Sequence, residues 1–548
     1  MCGILGGNNI KDIQDVKQGL VSIMHRGTDG NIIFHFEKND FYMSHNRLSI
    51  QDLGESANQP LISDDEKFVL AFNGEMWKPF FRKFNTKLRK KYNFKTERSD
   101  SELLLYYLID NRDNIEAAMP NLDGMFCFAF YDVERNEVTL GRDFIGRLPL
   151  YYTFENDKIL FSSEVKGIQT TNNKYKFYNV DRSRKPPKGK EEKIKVVEPG
   201  TIVTVSENLI GAVNCEIKRW NDFKPDFNPE NPTLYTRSET DLKLFEGEDK
   251  GIDYYATEFR KRLEKAVDDE LISDTPICTI LSGGIDSTII TYLLKKKNPN
   301  IEAFVVNVTS ERKQTLKDDL YYAKIAAKEL GVKLHEINVS KEDIQNKLKE
   351  SIWASETHKW TQVSPAVAQL FLAWEIRDKG YKVVFGGEGA DEIFASYGDV
   401  KRFCWPDPLA WHQKRVNLIN NLHKNNLIRT NKAMMYGGKV ELRTPFLNKE
   451  VIDFGLRIPT RYRDEADGKG NIMKYVLRKA FEGEISDELL WRPKKTFQQG
   501  CHTDYLKNEQ DTLDKYFNEL FVENKVPPEY LQRSLGHVSE RIKVIQLA

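Results

Sequence analysis

Cys2 stands directly after the initiator methionine. Removal of Met1 would leave one carbon carrying both a thiol and a free α-amine. That amine, with an ordinary pKa of about 7.7–8.0, can take up the thiol proton and so create a nucleophile. Gly3, Gly6 and Gly7 follow at once and let other backbone come close. A second chemical signature lies near mid-chain, where Leu281-Ser282-Gly283-Gly284-Ile285-Asp286-Ser287 follows the apolar run Ile277–Leu281 and precedes a helical pattern. Glycines there admit a phosphate to the backbone, and a helix N-terminus offers unpaired N–H groups at a positive dipole end. The Gly-Lys-Ser/Thr ending of a Walker loop is missing. Gly386-Gly387-Glu388-Gly389-Ala390-Asp391-Glu392 closes another apolar run, Lys382–Phe385. Ligands of open α/β sheets bind at the carboxyl ends of strands, so both loops should face one crevice.

The elements that must hold these groups follow from the rhythm of the chain. At 548 residues and about 150 residues per domain, two to four domains are expected. A 40% hydrophobic and 11% aromatic content supplies sizeable cores and argues against disorder. Basic and acidic residues balance at 82 each, so neither nucleic acid nor an anionic membrane is an expected partner. No run approaches the roughly 20 apolar residues of a membrane helix, the start has no basic-then-apolar leader, and the six cysteines are scattered without a CxxC pair. A cytoplasmic, reducing setting is the expectation.

Up to about residue 168 short alternating runs, such as Phe126–Tyr131 and Lys158–Ser162, read as strands between Gly, Asn and Asp turns. A basic, polar stretch over 170–195 reads as a mobile surface insertion, and 211–251 as a connector. From Ile252 the order becomes strand, glycine turn, helix. Strands at 277–281, 303–308, 333–339 and 382–385, with helices at 287–296, 316–330 and about 365–378, predict a parallel sheet covered on both faces. Beyond about 395 the chain reads as mainly helical. The domains are thus expected at 1–210 and 252–548.

His25-Arg26-Gly27-Thr28-Asp29-Gly30, His45-Asn46-Arg47-Leu48-Ser49-Ile50, Asn73-Gly74-Glu75 and Arg98-Ser99-Asp100-Ser101-Glu102 occur in that order. Together with Cys2 the set resembles the class II glutamine amidotransferases. The resemblance implies an αββα sandwich of the N-terminal-nucleophile type that hydrolyses L-glutamine. Cys2 would attack the amide, and Asn73 with the Gly74 amide would form the oxyanion hole, since a tetrahedral oxyanion needs preorganised N–H donors. Arg47 would hold the α-carboxylate, Glu75 and Asp100 would engage the α-ammonium, and Leu48, Ser49, Ile50 and Gln51 would complete the glutamine pocket. Met76-Trp77-Lys78 departs from the family's usual Ile-Tyr-Asn.

The second glycine loop resembles the pyrophosphate loop of the N-type ATP pyrophosphatases. With Arg429–Met434, Glu441–Leu447, Met473–Arg478 and Trp491–Lys495 the resemblance extends to the glutamine-hydrolysing asparagine synthetases and covers most of the chain. It implies ATP and L-aspartate as further substrates, an aspartyl-AMP intermediate, AMP and pyrophosphate as products, and a homodimer as an assembly the family allows. Ile280, Val306, Gly386 and Gly387 would border the nucleotide, with Ser282, Gly283, Gly284, Asp286 and Ser287 around pyrophosphate. Asp286 and Asp391 would carry Mg²⁺, a hard cation suited to carboxylate oxygens. Glu388 would sit at the acyl-adenylate, Lys474 would neutralise phosphate charge, and Arg443 would support the ATP site. One stretch departs from the bacterial glutamine-dependent pattern. In Glu356-Thr357-His358-Lys359-Trp360-Thr361-Gln362-Val363-Ser364, Gln362 replaces a Thr and Ser364 an Arg thought to meet aspartate. Amidation of a different carboxylate, and a non-catalytic relative, are the alternatives.

Overall fold

The computed structural model describes residues 1–177, 191–207, 213–221, 227–228, 231–232, 248–309, 318–397, 407–424, 426–462, 473–492, 503–530 and 542–547. In the first half two sheets lie face to face. One runs, edge to edge, through Lys195–Val196, Tyr151–Glu155, Lys158–Ser162, Gly3–Gly7, Phe41–Arg47, Gly30–Phe36 and Lys543–Leu547. The other runs through Val213–Arg219, Thr201–Glu207, Glu137–Arg142, Gly124–Asp132, Phe68–Met76 and Leu61–Ile62. Side chains alternate between strand faces. Phe41 and Met43 therefore meet Val69, Ala71, Cys127 and Ala129 between the sheets, and the intervening Tyr42, with Leu5 and Leu160, faces the helices Ile13–Ser22 and Val165–Thr171. On the far side Leu70, Phe72, Phe128 and Phe130 pack beneath helices Lys78–Lys91 and Asp100–Asp110. The result is the expected αββα sandwich.

The second half is built on a five-stranded sheet, all parallel, in the order Lys333–Val339, Glu302–Val308, Ile277–Ile280, Val383–Phe385, Glu441–Arg443. The chain first winds to one side of Ile277–Ile280 and then crosses to the other. This reversal opens a crevice at the carboxyl ends of Ile277–Ile280 and Val383–Phe385, where both glycine loops emerge.

Several features differ from the sequence reading. Glu441–Arg443 is a fifth strand inside the region read as helical, too short to show a period. Lys543–Leu547 returns to the first half and pairs parallel with Gly30–Phe36. Val213–Arg219, assigned to the connector, is the edge strand of the second sheet. Helix Lys341–Ser355, capped by reciprocal Ser340–Asp343 bonds, was missed. The flanks of the supposed surface insertion are buried, with Tyr175 at 1% and Phe177 at 4% exposure. Gln169 Nε2 there donates to the Phe521 carbonyl at 2.8 Å. Residues 178–190 lie outside the described residues. No helix among the described residues is long and apolar enough to cross a membrane.

A seam of alternating buried charges joins the halves. Glu164 lies 3.1 Å from His25 Nε2, accepts from Arg26 Nη1 at 2.6 Å and pairs with Lys166. Lys166 also reaches Glu356 at 3.3 Å. Glu356 in turn accepts from the backbone N–H groups of Val165 (3.1 Å) and Lys166 (2.9 Å), capping that helix, and pairs with Lys432. Each desolvated charge thus meets an opposite one. Glu356→Ala strips Lys432 of its carboxylate and uncaps the helix, a class of change that costs about 3–5 kcal/mol. The expected outcome is a clearly lowered Tm by scanning calorimetry with Glu356→Gln intermediate; an unchanged Tm for Glu356→Ala would contradict the seam's role.

Candidate functional site

Cys2 leads into the strand Gly3–Gly7 and is buried. Its backbone N–H donates to Asn73 Oδ1 at 2.7 Å, its Sγ accepts from the Leu48 N–H at 3.4 Å, and its carbonyl accepts from Arg26 Nε at 2.8 Å. Burial pushes the thiol above its ordinary pKa. Asn73 and Gly74 lie on Phe68–Met76. Gly74 has φ +151°, and a Cβ there would stand 2.2 Å from the Met125 carbonyl oxygen, so only glycine leaves the paired strand in place.

Asp100 opens its helix, with Oδ2 accepting from the Met76 N–H at 3.0 Å and Oδ1 from Ser101 Oγ at 3.2 Å. Burial nevertheless pushes its pKa up to about 6. Glu75 holds Gln51 Nε2, and burial first, then the charges of Glu441 and Asp100, pushes its carboxyl well above the usual range. The loop Leu48–Gln51 passes between the thiol and the second half, with Ser49 N–H on Asp29 Oδ2 at 2.8 Å and the Ile50 carbonyl accepting from Asp274 N–H at 2.9 Å. Arg47 shapes the same loop. Its Nη1 donates to Gly54 O at 2.7 Å and Asn58 Oδ1 at 3.0 Å, and its Nη2 to the Gln51 and Asp52 carbonyls.

The second cluster sits in the crevice. Ser287 Oγ accepts from the Ser282 N–H at 3.1 Å, lies 3.0 Å from Ser282 Oγ and donates to the Gly284 carbonyl at 3.1 Å, which folds the turn before helix Ile285–Lys297. Gly283, at φ +69°, would drive a Cβ to 2.4 Å from Ala323 N. A Cβ on Gly387 would meet Asp286 Cβ at 2.8 Å, so the two loops touch. Ile280 ends its strand, and Val306 lies two residues before the end of the neighbouring one, Glu302–Val308. Lys474, in a left-handed conformation at φ +62°, holds Asp286 at 2.5 Å and Asp391 at 2.6 Å. Burial pulls its ammonium down, but the two aspartates outweigh that and hold it above the ordinary lysine value. Glu388 lies in the space that a Cβ on Gly386 would fill, 2.2 Å from its Oε2, and burial raises its pKa.

Between the clusters lies Glu441–Arg443. The Met1 ammonium donates to Glu441 Oε2 at 2.8 Å, Arg443 Nε donates to Glu441 Oε1 at 2.9 Å, and Arg443 Nη2 lies 3.7 Å from Glu75. Arg443 was expected at ATP. Its side chain instead points to the domain boundary, donating to the Glu270 and Ile272 carbonyls. Its backbone alone reaches the crevice side, accepting from the Gly386 N–H at 2.9 Å. The sequence assigns no role to Glu164, Lys166 or Lys432, nor to Arg492, whose Nη1 donates to Gly283 O at 2.7 Å and braces the Ser282–Ser287 turn. For Arg492 the Trp491–Lys495 motif was the available signal, although 493–495 lie outside the described residues.

Residues 1–241 match the family model described as a glutamine amidotransferase domain, and residues 258–415 and 405–536 match that described as asparagine synthase. The chain belongs to the asparagine synthase family. A probable glutamine-hydrolysing asparagine synthetase of Schizosaccharomyces pombe is 28% identical over 94% of this chain and 87% of its own. Asparagine synthetase B of Escherichia coli K12 is 29% identical over 91% of this chain and 82% of its own. In the stretch where this asparagine synthase family member departs from the bacterial pattern, the side chains are tied to its own C-terminal segment. His358 Nδ1 lies 2.7 Å from Asp514 and Ser364 Oγ donates to Thr503 Oγ1 at 2.6 Å.

The raised pKa of Asp100 has a thermodynamic sign. Its contribution to stability is full below the unfolded value near 3.9 and is lost as pH rises through about 6. Urea unfolding between pH 4 and 7 should show wild type losing on the order of 3 kcal/mol that Asp100→Asn does not lose. Parallel pH profiles for the two proteins would contradict the assignment.

Proposed function

We propose that the protein makes asparagine from aspartate, with ATP as activator and glutamine as the nitrogen donor, in the cytoplasm, where reducing conditions keep Cys2 a thiol. One observation carries this reading. The strand Glu441–Arg443 touches both clusters, through Arg443 Nη2, 3.7 Å from Glu75, on one side and the Gly386–Arg443 backbone bond on the other. A thiol site and a phosphate crevice are thereby built against one another.

With Met1 removed, the Cys2 amine takes the thiol proton and the thiolate attacks the glutamine amide carbon. Asn73 and the Gly74 N–H receive the oxyanion; the proton passes to the leaving nitrogen, ammonia departs, and water hydrolyses the thioester to glutamate. Glu75 and Asp100 receive the α-ammonium, and their raised pKa values fall once that cation is beside them. Arg47 holds the loop that walls the pocket and turns toward the α-carboxylate when glutamine enters. In the crevice the acceptor carboxylate attacks the α-phosphorus of ATP and pyrophosphate leaves. Ammonia then displaces AMP from the anhydride. The Ser282–Ser287 turn cradles pyrophosphate, and Lys474 shifts from the aspartates to the phosphates. Asp286 and Asp391, two hard carboxylates converging from opposite loops, fit a Mg²⁺ that arrives with the nucleotide, and that ion would neutralise pyrophosphate charge. Ammonia must stay unprotonated in transit, so the route between the sites must exclude water.

The Ser364–Thr503 bond supports a second reading, the same chemistry on another carboxylic acid, since no guanidinium stands at 364. Pyrophosphate release separates the two. Wild type should release it with aspartate and either glutamine or ammonium; silence with aspartate and turnover with another acid selects the second reading. Cys2→Ala should lose about 10³-fold with glutamine and keep the ammonium-driven rate. Lys474→Ala should lose about 10²–10³-fold with both nitrogen sources while glutamine hydrolysis persists.

A further inference from the structure

Arg429 lies in the first turn of helix Asn426–Gly438 and is 7% exposed. A buried guanidinium normally meets a carboxylate. This one does not: its Nη2 donates to Thr430 Oγ1 at 2.8 Å, and its Nε has no hydrogen-bond partner among the described residues. The opposite charge that acts on it most is Glu388, with which it forms no ion pair among the described residues. Glu388 Oε2 is itself buried and unpartnered, and it also feels Asp286 and Asp391 across the crevice. Gln369 completes the group. Its Nε2 donates to the other face of Thr430 Oγ1 at 3.2 Å, and its Oε1 is buried with no partner among the described residues.

A cation, an anion and an amide, each with a buried atom that lacks a partner, are thus linked: Gln369 and Arg429 both hold Thr430, and Arg429 feels the charge of Glu388 on the second glycine loop. An α-amino acid carries the complementary set: a carboxylate for Arg429 and an ammonium for Glu388 and Gln369 Oε1. We propose that Arg429 binds the α-carboxylate of the acceptor acid. This rests on the proposed activity and supplies a guanidinium from the neighbouring helix in place of the one missing at 364.

The test uses the full-length enzyme with ammonium as nitrogen source, which removes glutamine hydrolysis from the readout. Pyrophosphate release is followed with aspartate and with β-alanine, which is aspartate without its α-carboxylate. Loss of a charge-assisted bidentate contact should raise the KM for aspartate about 10–100-fold in Arg429→Gln, with the KM for ATP unchanged and the wild-type preference for aspartate over β-alanine reduced by the same factor. Arg429→Lys, which keeps the charge and guards against a folding defect in the first variant, should recover part of the loss. An unchanged aspartate KM in both variants, an equal rise in the KM for ATP, or an undiminished preference over β-alanine would overturn the assignment. If wild type turns over β-alanine as well as aspartate, the assignment also falls, whereas wild type releasing no pyrophosphate with any acid would overturn the proposed activity itself.

Discussion

The first two residues of the chain are fixed from two directions, and the rest of the molecule is organised around that constraint. The Met1 ammonium is buried on Glu441, and the Cys2 N–H is held by Asn73. Glu441 belongs to the second half and Asn73 to the first, so Cys2 is held at their boundary. Burial raises the Glu441 carboxyl, but the chain's ammonium and Arg443 outweigh it and keep it below the usual range. Removal of Met1 leaves the new amine on Cys2 2.7 Å from Asn73 Oδ1, and Glu441 retains Arg443.

Rigidity at that boundary suits a labile intermediate. The charge seam from His25 through Glu164, Lys166 and Glu356 to Lys432 ties the halves together, with Lys166 of the first half 3.3 Å from Glu356 of the second. The C-terminal strand on Gly30–Phe36 and the Phe521 carbonyl on Gln169 add to it. Close approach does the equivalent work in the crevice, where Gly283 and Gly387 let neighbouring chain pack against the loops at distances a Cβ would not allow.

Much of this was legible in the sequence because local chemistry dictated it. Alternation marked short strands in the first half, the resemblance to the class II glutamine amidotransferases implied their layering into a sandwich, and the strand–glycine–helix rhythm gave the parallel sheet and its crevice. Cys2 N–H lies 2.7 Å from Asn73 Oδ1, and Ser282–Ser287 folds into a turn that opens a helix. What could not be read depends on contacts distant in the chain. Glu441–Arg443 is three residues long, below any period, and its arginine serves the domain boundary because of what packs there. Tyr175 and Phe177 sit in a polar stretch that composition assigns to the surface, yet Phe517 and Phe521 cover Phe177. Glu164 and Lys166 look like a solvated pair until Glu356, almost two hundred residues later, buries them.

The account turns on nitrogen passing from the thiol site to the crevice without entering bulk water. Amide-¹⁵N glutamine supplied with an equal concentration of unlabelled ammonium, followed by mass spectrometry of the product amide, tests this directly. Retained transfer predicts that nearly all product made under glutamine turnover carries ¹⁵N. Label diluted in proportion to the ammonium in solution would contradict it.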